Sequence, residues 1–383
     1  MYRLSEAQTR IVQRVGDVAE ASIAPYAARV DRERSFPREA LAALGREGLL
    51  GLTVPPAFGG LGQGMRTMAA CVEETSQRCS STGMVYLMHL CGIACYVAAS
   101  GKAAPYLKAA ARGEHLSTLA FSERGSRSHF WAPVSRAAAA NGHAQVTAHK
   151  SFVTSAGHAD GYVVSTLATN AQQPTESTIY LVLKEDAGVR VAGSWDGLGM
   201  RGNASAPMSL DNVAVPVDRA LTAPGKGLEM MLGVVLPTFQ VGTAAVALGI
   251  AEAAVKATVR HMTSSRFDHL DSSLADLPTL RARLARMRIE TDRARAHLVS
   301  VLDSLEAPGP ATQLLVLEAK AAATEAAVVV TDLAMRTCGG AAFGGALGIE
   351  RLYRDARAPI VMSPTTDQAH EFIGRALCGL QVF

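Results

Sequence analysis

Apolar positions recur at helical spacing through roughly the first 115 residues, an extent read only to within a few positions. Residues 5–29 form an amphipathic run with Ser5 placed to cap it, and Ser35-Phe36-Pro37 opens a second helix with Pro37 in its first turn. Gly45 and Gly48 close that helix. The Pro- and Gly-rich stretch 51–62 reads as a shaped loop, and helices resume over 66–80 and 82–100.

From His115 the period changes. Short alternating or β-branched runs at 134–140, 143–149, 161–167, 178–184 and 208–215 predict strands, with Asn141-Gly142 as a hairpin turn and 172–176 as a surface loop. After Gly225-Lys226-Gly227 the helical spacing returns. It predicts one long helix or a kinked pair over 227–264, an Arg-rich helix over 276–305, an Ala-rich one over 311–336, a break at Gly339-Gly340 and a terminal helix over 367–380. The Arg-rich face (Arg281, Arg283, Arg286, Arg288, Arg293, Arg295) reads as solvated. The expected fold is therefore α+β: an N-terminal helical domain (1–117), a central antiparallel, barrel-like β domain (118–222) and a C-terminal four-helix bundle (223–383).

Composition narrows the function. The 383 residues are 49% hydrophobic with a net charge of +3, and no basic run gives nucleic acid a footprint. Six cysteines without a CxxC pair, after an N-terminus with no secretory pattern, predict reduced thiols and a cytoplasmic protein. Cys91, Cys95 and His89 fall short of the ligands a structural zinc needs, so no metal is expected. The nearly uncharged run 230–251 contains Pro237, Thr238, Gln240 and Thr243 and continues into Glu252 and Lys256, which predicts a buried core helix rather than a membrane span.

The candidate chemistry centres on 120–156. Ser122, Ser126 and Ser128 follow one short apolar strand, and Phe152, Thr154 and Ser155 end another. That arrangement suits a flat polar ring such as a flavin, which needs partners at N5, along its pyrimidine side and at its phosphates. An ordinary hairpin with Ser and Thr at its strand ends fits these residues alone equally well.

The order of motifs adds to this. Ile23-Ala24-Pro25, Phe36-Pro37, Gly48-Leu49-Leu50-Gly51-Leu52-Thr53-Val54-Pro55, Phe58-Gly59-Gly60-Leu61-Gly62 and Glu73-Glu74 are followed by Ser122-Glu123 with Gly125 and Ser128, then Lys150-Ser151-Phe152-Val153-Thr154. Leu198-Gly199-Met200-Arg201, Cys338-Gly339-Gly340 and Tyr353-Arg354-Asp355-Ala356 complete the series. In this order the chain resembles the acyl-CoA dehydrogenase family over nearly its whole length. The resemblance implies FAD between the β domain and the bundle, with Ser122 at the pyrimidine edge, Ser128 at the pyrophosphate, Phe152 on the ring and Thr154 at N5. It also implies a homo-oligomer, dimer or tetramer, in which Gly339 and Gly340 let the backbone approach a neighbour's cofactor.

The catalytic base departs from that pattern. In the family a Glu removes the α-proton of an acyl thioester while hydride leaves the β-carbon for the flavin. A gapless match places Ser363 at that Glu and Pro364 at the Gly after it. The other position used for the base falls on Phe239, with Gln240 at the Arg that follows. Cofactor contacts shift too: the Arg of Arg-x-x-Phe falls at Ser265 with Arg266 one place on, the Gln before the Gly-Gly turn is Arg336, and the loop ends Arg127-Ser128-His129.

Three readings remain open. One is a dehydrogenase of acyl thioesters, on CoA or a carrier protein, with a displaced base, Asp367 or, one turn on, Glu371; the alternative for Asp367 is a helix cap or first-turn acid. Another is a monooxygenase using reduced flavin and oxygen, with His89 as proton donor and Ser363 assisting, against His89 as a satisfied core residue. The last is a non-catalytic flavin or acyl-CoA binding module. Met88, Phe239, Gln240 and Met362 are the expected pocket walls, and they suggest an apolar ligand. The electron acceptor is left open.

Overall fold

The computed structural model describes residues 2–127, 129–140 and 142–382. The first helices are α1 (Glu6–Ser22), α2 (Ala27–Glu33), α3 (Arg38–Arg46), α4 (Met65–Arg78), α5 (Ser80–Ala98) and α6 (Ser100–Ala111). Ser5 caps α1 in a reciprocal box: its hydroxyl accepts from the Gln8 N–H while the Gln8 side chain accepts from the Ser5 N–H. Pro37 occupies the cap of α3 rather than its first turn, and Gly48, at φ +68°, turns the chain out of that helix. Helices α4 and α5 pack closely, since a Cβ at Gly83 would fall 2.0 Å from Ser76 Oγ.

Seven strands follow: β1 (Ser117–Ala120), β2 (Arg136–Ala140), β3 (His143–Val153), β4 (Gly161–Leu167), β5 (Ser177–Leu183), β6 (Val189–Val191) and β7 (Ala206–Pro216). They form one sheet in the order β1-β4-β2-β3-β7-β6, with β5 also paired to β4. The predicted hairpin is present as the Ala140↔His143 pairing, although Asn141 itself lies outside the described residues. Pairing is antiparallel except where β1 and the first residue of β2 meet β4 in parallel, a departure from the all-antiparallel expectation. It arises because β1 enters from α6 instead of from a hairpin. Alternate residues of the sheet divide between two cores. Val146, Tyr162, Val164, Val182 and Leu210 pack within the sheet's own core, while Leu119, Val163, Ile179 and Leu181 join the helices.

The C-terminal part contains α7 (Gly227–Met230), a π-turn (Met231–Val235), α8 (Leu236–Ser264), the small hairpin β8 (Arg266–Phe267) and β9 (Ser272–Ser273), α9 (Pro278–Glu306), α10 (Thr312–Cys338), α11 (Gly340–Phe343), α12 (Ile349–Asp355), α13 (Ala358–Val361) and α14 (Thr366–Leu377). Helix α9 returns antiparallel to α8, and α10 antiparallel to α9, so α8 and α10 run parallel. The first relation follows from β8 and β9 joining the end of α8 to the start of α9, the second from Ser304 meeting Thr312 and Arg283 donating to the Arg336 carbonyl. Helices α5 and α7–α8 are long and apolar enough to cross a membrane, but most of their surface is buried inside the fold.

The solvated Arg face needs one correction. Arg295 is buried and bonds Glu73 (2.7 Å), Glu252 (2.9 Å) and Asp292 (3.0 Å), while Tyr2 donates its hydroxyl to Glu73 at 2.6 Å. This network ties the N-terminal segment, α4, α8 and α9 together. A buried guanidinium needs such partners, because unpaired it would carry the full desolvation cost.

Candidate functional site

The β-domain side of the site is set by a buried ion pair. Lys150 Nζ donates to Glu123 Oε1 at 2.6 Å and to the Ser165 carbonyl at 2.5 Å, and both charged side chains are almost wholly buried. Glu123 also accepts from the Val134 N–H (2.6 Å), the Ser135 N–H (3.0 Å) and the Ser135 hydroxyl. Burial alone pushes the Glu123 carboxyl up, but Lys150 and these hydrogen bonds outweigh it and hold the group below its ordinary value. Both residues stood in recognised motifs, yet nothing in the sequence assigned them to each other.

The pair pins the loop carrying Ser122 onto β3, where the Ser151 N–H donates to the Ser122 carbonyl at 2.8 Å. Ser122 is half-buried, and Ser128 lies outside the described residues. At the end of β3, Thr154 is buried, its hydroxyl 2.9 Å from Ser205 Oγ and its carbonyl accepting from Thr118. Ser155 Oγ is fully buried and has no hydrogen-bond partner among the described residues. Phe152, at φ +55°, stands beside this corner with 69% of its surface exposed. The corner thus offers hydroxyls at its base and an uncovered aromatic face at its rim.

A second set of contacts brings the β domain to the helices. Asp355 is buried and accepts from the Met200 N–H at 2.6 Å, while Arg354 pairs with Asp31 at 2.6 Å and donates to the Leu198 carbonyl. Burial raises the Asp355 carboxyl to about 6, against the lowering influence of the Met200 N–H and Arg351. A Cβ at Gly199 would lie 2.5 Å from the Arg354 carbonyl, so only glycine admits this approach.

The helical side of the site centres on the turn between α13 and α14. Buried Lys320 donates to the carbonyls of Met362 (3.2 Å) and Pro364 (3.0 Å) and to Thr366 Oγ1 (3.3 Å), bracketing Ser363. Burial pulls its ammonium down to about 7, with Asp367 opposing. Helix α10 packs along α8, which carries Phe239 and Gln240. On α8, Gly242 abuts Leu87 of α5, next to Met88. Of the expected wall residues, Met88 thus lies beside α8, and Met362 lies at the turn that Lys320 holds.

Two candidate catalytic residues, His89 and Glu371, are corrected. His89 is fully buried with both ring nitrogens engaged: Nε2 donates to the Leu50 carbonyl at 2.8 Å, and Nδ1 accepts from the Ser117 N–H at 3.1 Å. It is a satisfied core histidine and has no proton to offer a pocket. On α14 the period buries Thr366, Ala369 and Phe372 and turns Asp367, His370 and Glu371 to solvent. Glu371 lies 3.6 Å from Arg375 on that outer face, and Asp367 is a first-turn acid beyond the Thr365 cap. Glu371 is thus turned away from Ser363, whereas the charge of Asp367 still acts on Lys320, the lysine that brackets Ser363. Arg266, expected at the cofactor, is exposed and bound to Asp271 at 2.7 Å. Gly339, at φ +56°, makes the turn from α10 to α11, but added Cβ atoms at Gly339 and Gly340 would meet open space, so no close packing within the chain requires glycine there.

His89 gives a pH prediction. Burial lowers its pKa to about 4 from an ordinary 6.5, with the Leu50 carbonyl opposing. The folded state therefore favours the neutral ring. The associated stability is fully present above pH 6.5 and is lost as pH falls toward 4, amounting to about 3 kcal/mol. Urea unfolding at pH 7 and pH 4 should show wild type losing about that much more than His89→Gln, which keeps a donor for Leu50 and does not titrate.

Comparison with known proteins gives the same three-part division. Residues 5–114 match the acyl-CoA dehydrogenase N-terminal domain, 118–213 the middle domain and 225–378 the C-terminal domain. The probable acyl-CoA dehydrogenase YngJ of Bacillus subtilis is 26% identical over 380 residues, covering 98% of this chain and 99% of that protein. Human mitochondrial short-chain specific acyl-CoA dehydrogenase is 28% identical over 368 residues, covering 95% and 88%. The structure of butyryl-CoA dehydrogenase from Megasphaera elsdenii superposes with a TM-score of 0.91 at 21% identity, covering 98% of this chain and 99% of that one, a likeness of fold.

Proposed function

Because the chain belongs to the acyl-CoA dehydrogenase family, we propose that it is an FAD-dependent oxidoreductase that oxidises an acyl thioester, carried by CoA or a carrier protein, at the α,β-bond, the hydride leaving the β-carbon for the flavin and the α-proton passing to a displaced carboxylate, for which Asp367, whose charge acts on Lys320, is the candidate. The observation that carries the reading is the corner at the end of β3, where buried Thr154, the Ser155 hydroxyl, unpartnered among the described residues, and exposed Phe152 stand together, with the Ser122 loop fixed onto β3 by Glu123 and Lys150. That donor set fits a flavin edge. When bound there, the flavin supplies a two-electron acceptor for the hydride leaving the substrate β-carbon.

The chain's own part is positioning. Thr154 would hold the ring near N5, Ser122 and Ser128 the pyrimidine and phosphate ends, and Phe152 would cover the ring face. Lys320 fixes the turn over which the substrate α-carbon would lie. Gly339, Gly340 and Phe343, the last 82% exposed, would face a neighbouring subunit in a dimer or tetramer.

A second reading, oxygenation by reduced flavin on the same fold, rests on the residues at the two base positions. Ser363 and Phe239 cannot take an α-proton as a carboxylate does. The visible spectrum of anaerobic holoprotein titrated with acyl-CoA thioesters separates the readings. Bleaching of oxidised flavin is the expected result. No bleaching across the panel, with a transient hydroperoxide band when reduced flavin meets oxygen, would overturn the dehydrogenase reading. Failure to bind flavin would leave only the binding module.

A further inference from the structure

Buried polar atoms in a protein find partners almost without exception, because each one left unpaired costs about 1–3 kcal/mol. Gln240 breaks this rule twice. Its side chain is fully buried in α8, and neither Oε1 nor Nε2 has a hydrogen-bond partner among the described residues. Thr243, one turn along the same face, is also fully buried with an unpartnered hydroxyl, although threonines elsewhere in these helices, such as Thr258 and Thr331, donate back to the carbonyl four residues earlier. The π-turn Met231–Val235 lies immediately before α8 and is the kind of irregularity found at functional sites.

Direction follows from the helix's neighbours. Gly242 and Gly249 face α5 and α4, touching Leu87 and Glu73–Ser76, and Glu252 faces α9 through Arg288 and Arg295. Gln240 lies about 200° round the helix from Gly242, at 100° per residue. Its remaining buried side is the one toward α10, the helix whose Lys320 holds the turn around Ser363. Three polar atoms without partners among the described residues therefore lie on the side of α8 away from α4 and α5.

We propose that Gln240 and Thr243 bind a neutral polar substituent on the acyl chain, a hydroxyl, so that the substrate is a hydroxylated acyl thioester and not a plain hydrocarbon one. This rests on the oxidoreductase reading for the thioester itself. An amide and a hydroxyl both donate and accept, which matches a group that does the same. A carboxylate would need a cation, and the Lys320 ammonium directs its donors to Met362, Pro364 and Thr366. A hydrocarbon chain would leave all three atoms unpaired, the mismatch that gives hydrogen-bonding sites their large discrimination.

The test uses oxidised holoprotein and hexanoyl-CoA with or without a hydroxyl placed in turn at carbons 3 to 6, with binding read from the shift of the flavin spectrum. At one position wild type should bind the hydroxylated thioester about 100-fold tighter than hexanoyl-CoA. Gln240→Leu should abolish that preference, and Thr243→Val should reduce it. Equal binding of all thioesters by wild type, or a preference unchanged in Gln240→Leu, would overturn the inference. Bleaching by plain hexanoyl-CoA without preference would do so while leaving the oxidoreductase reading intact. Preference without bleaching would do the reverse. Absence of thioester binding would overturn both.

Discussion

Ser363→Glu is expected to accelerate flavin bleaching by acyl-CoA thioesters by about 10²- to 10⁴-fold, the range a positioned general base contributes. The substitution places a carboxylate where the family resemblance puts one, on a turn that Lys320 already holds through the carbonyls on either side. A nearby ammonium favours the ionised carboxylate, and the buried Lys320 ammonium would itself be stabilised by the new anion. Ser363→Gln, similar in size but unable to take a proton, should show no gain. The measurement is anaerobic stopped-flow at 450 nm, a wavelength chosen for the oxidised flavin, with thioester in excess so that binding does not limit the rate. If Ser363→Glu binds thioester but bleaches no faster than wild type, proton removal does not limit this flavin's reduction, and the oxygenating reading gains the ground.

What the sequence disclosed depended on whether the decisive partner lay nearby along the chain. The Ser5 box, the hairpin at Gly142 and strand β4 are local, and they were readable from spacing alone. Strand β1 was read only as a short apolar strand before Ser122, without bounds, because four residues are too few for a pattern to mark where it starts. Helix α6 was hidden behind Ser100-Gly101 and an internal Pro105, signals that usually stop a helix. His89 could not be settled because its partners, the Leu50 carbonyl and Ser117 N–H, are backbone groups of distant segments. The orientation of Glu371 was legible, since Thr366, Ala369 and Phe372 mark the buried face of α14, but placing it near Ser363 by count alone ignored that period. The unpartnered state of Gln240 appears only once every neighbour of α8 is in place.

Lys150→Met is expected to destabilise the protein by about 3–5 kcal/mol, the effect of stranding one member of a buried ion pair. The loss comes from Glu123, which would keep its donors at Val134 and Ser135 but lose the cation that opposes its desolvation. Glu123→Gln should be costly in the same way, leaving Lys150 with only the Ser165 contacts. The double variant Lys150→Met/Glu123→Gln should recover much of the loss, because no buried charge is left unpaired, and urea unfolding of all four proteins closes the cycle. The same pair holds the Ser122 loop against β3, so FAD affinity, measured by equilibrium dialysis on the folded variants, should fall with each single change. A single variant that loses stability yet binds FAD as tightly as wild type would show that the pair supports the sheet alone and that the flavin corner is held by Thr154, Ser205 and the Thr118 contact.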